Sequence, residues 1–177
     1  MIHWGIITAG RMAAKFVLDA SVVTNGVIHA VAARNFEKAQ DFAAHFNIPK
    51  AYGSYLELIQ DKDIQVVYIA SPHNFHYEHA LLCLKNNKSV LCEKPVTTDA
   101  LQLQILIQLA KEKNLFFMEA MWTYYLPSIQ KVDSWLRNGL IGDIQVLKAD
   151  FGFQSIYDSE GRIFNPNLAG GSLLDVG

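Results

Sequence analysis

Cysteine is almost absent: Cys83 and Cys92 are the only two in 177 residues, and each sits among apolar neighbours (Leu-Leu-Cys-Leu and Val-Leu-Cys-Glu). That setting argues against a disulfide framework or a cysteine metal site and fits reduced core thiols. Long apolar runs are missing too. Stretches such as Gln65-Val-Val-Tyr-Ile-Ala70 fall well short of the ~20 apolar residues a membrane span needs. The N-terminus opens on strand-like residues instead of a basic, apolar signal, so a cytoplasmic location is expected. Nor is there an excess of positive charge. Fifteen Lys and Arg stand against 17 Asp and Glu, for a net charge of −2, and the basic residues are scattered. Without a basic field, nucleic acid is not an expected partner. Repeats and low-complexity segments are also lacking.

What is present is an alternation of strand-length apolar runs with longer segments of helical period. It predicts βαβ units on a parallel sheet buried on both faces. Strands are expected over 2–7, 27–33, 65–70, 89–92 and 115–118. Helices are expected over 11–20, 36–46, 54–59, 75–85 and 100–113, the last capped by Thr98 or Asp99. This is the pattern of an α/β, Rossmann-type, doubly wound sheet complete by residue 119. Beyond it, an amphipathic helix over 126–138 closed by Gly139 and a long strand over 144–153 read as the start of a second α/β domain with an open sheet. The expected division is therefore 1–119 for dinucleotide binding and 120–177 for a truncated substrate and dimerisation domain. The chain ends in Gly-Gly-Ser-Leu-Leu-Asp-Val-Gly with no polar tail, which suggests that it stops inside that domain.

Between the first strand and the first helix lies Thr8-Ala9-Gly10-Arg11-Met12-Ala13, where a dinucleotide fold needs a tight turn and close approach of the pyrophosphate to the helix N-terminus. Gly10 is the key residue, while Thr8 and Ala13 fill the first and third glycine positions of G-x-G-x-x-G. After the second strand, NAD-selective folds carry an acidic residue for the ribose 2′-hydroxyl. This chain has Arg34 there. A guanidinium can pair with a 2′-phosphate, so the expected cofactor is NADP, with NAD possible.

Two further segments fall at strand ends, where open α/β sheets bind ligands. Cys92-Glu93-Lys94-Pro95 places an ammonium able to stabilise negative charge on a substrate oxygen as hydride moves, and Pro95 biases Lys94 away from helix. Ser71-Pro72-His73-Asn74-Phe75-His76 faces the same crevice. His73, His76 and His79 are spaced by three, but no carboxylate or cysteine set completes a metal site. A cofactor-contacting loop is therefore preferred, and no metal is expected.

Taken in order, Gly5-Ile-Ile-Thr-Ala-Gly10-Arg-Met-Ala13, the Ser71 to His76 loop, Glu93-Lys94-Pro95, Met118-Glu119-Ala120-Met-Trp122 and Gly170-Gly171-Ser-Leu-Leu-Asp175-Val-Gly177 resemble the glucose-fructose oxidoreductase, inositol dehydrogenase and MocA family. Within it the chain looks most like the branch that contains dimeric dihydrodiol dehydrogenase and xylose dehydrogenase. The resemblance implies a Rossmann domain followed by a substrate domain whose open sheet commonly forms a homodimer in the complete protein. It also implies a role for Lys94 beside the nicotinamide, with Thr8, Ala9, Gly10, Arg11, Met12, Arg34, Ser71, Pro72, His73, His76 and Glu93 at the cofactor. Trp122, Phe151 and Asp175 are then candidates for the pocket of a small-molecule substrate. In this branch a tyrosine taken as the acid/base partner follows Asp-x-Gly shortly, and the sequence ends before it. The implied reaction is hydride transfer between nicotinamide and a carbinol or carbonyl carbon of a sugar, cyclic polyol or dihydrodiol. A non-catalytic dinucleotide-binding sensor or interaction module is the alternative, and a metal-dependent hydrolase built on the histidine loop is a weaker third.

Overall fold

The computed structural model describes residues 1–175. The final Val176 and Gly177 of the last motif lie outside the described residues. Six strands, β1 (Ile2–Ile7), β2 (Gly26–Ala32), β3 (Lys50–Tyr52), β4 (Val66–Ile69), β5 (Ser89–Cys92) and β6 (Phe117–Glu119), form one sheet in the order β3-β2-β1-β4-β5-β6. Every pairing is parallel. The helices between them are α1 (Arg11–Ala20), α2 (Phe36–Phe46), α3 (Tyr55–Gln60), α4 (His76–Lys85) and α5 (Ala100–Glu112).

Side-chain alternation along the strands divides the core into two layers. Ile6, Val31 and Tyr68 pack with Ala13 and Ala43 beneath α1 and α2. Ile7, Ala32, Val67, Ile69 and Cys92 pack with Leu58, Leu84 and Leu106 on the opposite face. Gly5 lets the packing there close up, since a Cβ would lie 2.8 Å from Leu58 Cδ2 and 3.1 Å from Ile64 Cδ1 and would push those side chains aside. Both cysteines are buried and free, and burial pushes their thiol pKa values up. Caps follow the sequence: Asn35 accepts from Lys38 N at 3.0 Å, Ser54 from Glu57 N at 3.2 Å, and Asp99, not Thr98, caps α5 through Leu101 N at 2.6 Å.

The structure departs from expectation in three places. β3 was not anticipated, because its three residues are too short to carry a period; they are aligned by pairing with β2 at Ala30–Lys50. The start of the expected helix over 75–85 is a 3₁₀ turn, His73–Phe75, before α4 begins. The expected strand over 144–153 is not formed, and its residues are exposed, Leu147 at 87%. Alternating apolar residues make a strand only when a neighbouring strand takes up their backbone groups, and no pairing reaches this segment. α6 (Pro127–Arg137) forms as expected, ending at Gly139 with φ +68 and a Leu140 N to Trp135 O bond of 3.0 Å. Every buried apolar residue among those described lies between Ile6 and Ala110. No helix is long and apolar enough to cross a membrane among the described residues.

Candidate functional site

The sheet order reverses between β1 and β4, which opens a crevice at their carboxyl ends. Its floor is the turn after β1. Thr8 has φ +81, the left-handed region that the first glycine of the motif would take without strain. Two bonds hold it there: Thr8 N donates to Ala32 O at 2.9 Å and Thr8 Oγ1 donates to Ala70 O at 3.0 Å, tying the ends of β2, β1 and β4 together. Gly10 is the N-cap of α1 with φ −104, so its backbone does not demand glycine, and no side chain caps the helix. A Cβ on Gly10 would meet no protein atom within 4 Å. The missing side chain thus leaves open space over uncapped helix amides, which suits a phosphate, so the turn fits a dinucleotide.

The second wall is the Ser71 to His76 loop. His76 is fully buried beneath it, with Nδ1 2.7 Å from Pro95 O and Nε2 2.7 Å from Ser71 O. It therefore ties this loop to the Glu93 to Pro95 turn and lines neither crevice cavity. Burial lowers its pKa, and the two carbonyls act in the opposite direction. His79 Nδ1 meets Ser71 Oγ at 2.9 Å, and its ring lies between Tyr55 and Phe75. Burial, with smaller contributions from His76 and Arg34, holds His79 at about 4. His76 and His79 thus meet the carbonyl and the hydroxyl of Ser71, while His73 faces Ala169 O, and the three rings do not converge on one point among the described residues.

The third wall carries the charge. Glu93 accepts from the buried Tyr68 hydroxyl at 2.6 Å, and Tyr68 stacks on Phe16 at 3.8 Å. Burial and then Glu93 raise the Tyr68 pKa, so its proton stays in place to donate. Lys94 Nζ donates to the backbone carbonyl of Asp175 and lies 3.6 Å from Asp175 Oδ1. Arg162 Nη1 is 2.8 Å from that same oxygen. Burial works against the Asp175 carboxylate, but the Arg162 bond and charge, with Lys94, outweigh it and lower the pKa.

A cavity of about 390 Å³ gathers Thr8, Gly10, Arg11, Met12, Ser71, Pro72, His73, Glu93, Lys94, Trp122 and Asp175, together with Arg162. A second, of about 220 Å³, lies around Arg34, with Thr8, Tyr55, Ser71, Pro72, Phe75, Glu78 and His79. Ala9 packs against the core beneath α1. Phe151 stands apart from both cavities, 77% exposed, with only Phe153 as an aromatic neighbour at 6.4 Å. Phe75 belongs to the loop expected at the crevice, whereas nothing in the sequence points to Arg162, Tyr68 or Tyr55 as site residues, and the spacing of His79 points only to a metal. No motif marks Arg162, and the signal for Tyr68 was masked by its place in an apolar strand.

The comparisons with known proteins agree with this geometry. The GFO/IDH/MocA family model, described as "Oxidoreductase family, NAD-binding Rossmann fold", matches residues 2–121. The chain belongs to this family of oxidoreductases, and its Rossmann domain is of the NAD(P)-binding kind. It is similar to the trans-1,2-dihydrobenzene-1,2-diol dehydrogenases of Xenopus tropicalis, 43% identical over 98% of this chain and 53% of that one, and of Homo sapiens, 39% identical over 99% and 53%. The chain spans about half the length of the curated relatives it matches. Among solved structures, a 3-ketoreductase from Actinomadura kijaniata with NADP aligns at TM-score 0.74 and 29% identity, over 80% of this chain and 45% of that one. A scyllo-inositol dehydrogenase from Lactobacillus casei aligns at TM-score 0.74 and 21% identity, over 81% and 43%, which is a likeness of fold alone.

Proposed function

We propose that the protein provides the cofactor half of a cytoplasmic NADP-dependent dehydrogenase acting on a carbinol or carbonyl carbon of a sugar, cyclic polyol or dihydrodiol. One observation carries the reading: Lys94, the Gly10 turn and Asp175 line a single cavity at the topological switch point. The dinucleotide supplies or accepts the hydride. The α1 amides above Gly10 hold its phosphates, with Thr8, Arg11 and Met12 shaping the turn, and the Ser71 to His73 loop bounds the opposite side. Lys94 donates to the substrate oxygen, stabilising negative charge there or giving up a proton as an alcohol forms. Asp175 keeps that ammonium aimed into the cavity. Trp122, 59% exposed, offers a flat apolar wall to a ring-shaped substrate.

The preference for NADP rests on Arg34. It lines the second cavity next to Tyr55 and His79, at the end of β2 where NAD-selective folds present a carboxylate. Residues 1–119 are the dinucleotide domain, and residues 120–177 belong to a substrate and dimerisation unit, a division supported by the absence of buried apolar residues after Ala110 among the described residues. Titration with NADPH and NADH, read by nicotinamide emission, tests the cofactor assignment. Tighter binding of NADPH is expected, with the advantage lost in Arg34→Glu. Tighter binding of NADH would overturn the role of Arg34, and no binding of either would overturn the reading as a whole.

A further inference from the structure

We propose that Arg162 is a positioning residue of the crevice, fixing the Asp175 carboxylate beside Lys94 and holding the His73 imidazole in its Nδ1–H form. Arg162 Nη1 lies 2.8 Å from Asp175 Oδ1 and 3.3 Å from His73 Nε2. A guanidinium has only donors and does not lose its proton in a protein. The His73 nitrogen facing it must therefore present a lone pair. The ring proton then belongs on Nδ1, where a carbonyl acceptor, Ala169 O, stands at 3.4 Å. Both contacts of His73 thus select one neutral tautomer, the less common one for a free imidazole in water. The Asp175 side chain is only 8% exposed and shares its Oδ1 between Arg162 and, at 3.6 Å, Lys94. Arg162 takes the short bond, which leaves Lys94 less tightly held by that carboxylate.

The segment that presents Arg162 is tightly folded on itself. A Cβ on Gly170 would fall 2.7 to 2.9 Å from the carbonyl oxygens of Arg162, Ile163 and Asn165, so only glycine fits. Gly171 has φ +110, and its N–H closes on Ile163 O at 2.8 Å. The two glycines therefore allow the turn that brings Arg162 and Asp175 to the same side of His73. The charged and titratable groups around His73 are Arg162, Asp175 and His76, with Glu93 and Lys94 across the cavity. Burial lowers the His73 pKa; His76 and Arg162 lower it further, against Ala169 O and Asp175.

The test is ¹⁵N spectroscopy of the histidine rings in the 177-residue chain, the Arg162→Gln variant and the Arg162→Lys variant. In the parent chain His73 is expected with Nε2 unprotonated. In Arg162→Gln the Nε2–H form should gain population and the His73 pKa should rise by roughly one unit or less, as when a neighbouring cation is removed. Arg162→Lys should fall between the two. An Nε2–H tautomer in the parent chain would overturn the proposal whether or not the variants fold. So would an unchanged tautomer and pKa in a folded Arg162→Gln. The consequence for the cofactor rests on the function proposed above: Arg162→Gln should weaken NADPH binding about threefold to tenfold, the scale of one charge-assisted hydrogen bond. Failure of the parent chain to bind NADPH would count against that function and leave the tautomer result standing.

Discussion

The two ends of the sheet each carry a cluster of lysine and aspartate, and the two are built to opposite purposes. At the amino end, Lys50 Nζ lies 2.9 Å from both Asp61 Oδ2 and Asp63 Oδ2, Tyr52 donates to Asp61 at 2.8 Å, and the buried Lys88 donates to Asp61 O and Ile64 O at 2.7 Å each. His29 completes a group with Asp61 and Asp63 whose ligand atoms lie within 4.8 Å of one another, but Lys50 already supplies the cation. There Lys50, Lys88 and the Tyr52 hydroxyl all bond to protein acceptors, while the buried His29 Nε2 has no hydrogen-bond partner. At the carboxyl end, Lys94 and Arg162 share one carboxylate and face a cavity. The same residue types thus brace loops when their bonds close on each other and offer chemistry when a side is left open.

The largest expected effect is at the open end. On the proposed function, Lys94→Met should lower kcat by about 10²- to 10⁴-fold, the range for loss of a positioned proton donor. A variant with parental turnover would remove Lys94 from the mechanism. Next, Gly10→Leu should weaken NADPH binding roughly a hundredfold, about 2.7 kcal/mol, with the smaller change in thermal midpoint, because a Cβ there meets no protein atom within 4 Å. A lowered midpoint with affinity intact would mean that Gly10 serves the fold instead.

At the closed end, Asp61→Asn should lower the denaturant midpoint by weakening the bonds that the half-exposed Lys50 and half-buried Tyr52 donate to it, and NADPH affinity should stay as it was. Comparable losses of both would erase the contrast between the clusters. Burial opposes ionisation of Asp61, yet the bonds from Lys50, Asp63 N and Tyr52 hold its pKa down at about 2 against an ordinary 3.8. Its contribution is therefore complete above pH 3.8 and lost as the pH falls through about 2.

His79 acts in a higher window. Its folded pKa of about 4 lies below the ordinary 6.5, so stability should decline as the pH drops from 6.5 to about 4. Denaturant midpoints of His79→Gln across that range should show a shallower decline, and an unchanged slope would remove His79 as its source. The smallest effect is expected at Thr8→Gly, where relief of the φ +81 strain offsets loss of the bond to Ala70 O, for a net change within about 1 kcal/mol.

The sheet and the turn after β1 were legible because their signals are local. Apolar strands buried on both faces, the Asp99 cap and a glycine at a strand-to-helix turn are each written within a few residues. β3 carried too few residues to be seen, and the 144–153 segment showed alternation without a partner to pair with. In the crevice, Lys94 was legible through its strand-end place and motif. The partners of His73 and Asp175 were not, since Arg162 carries no local pattern and reaches them through a turn set by Gly170 and Gly171. The histidine spacing was visible, but which ring met which carbonyl depended on packing.

The long reach of those contacts bears on the order of folding. Thr8 meets Ala70 across 62 positions, Lys94 meets Asp175 across 81 and His73 meets Arg162 across 89. Contacts of such separation form only after most of the loop-closing entropy has been spent. The crevice should therefore be among the last parts of the molecule to assemble, and dinucleotide binding during refolding should lag behind the recovery of helical signal.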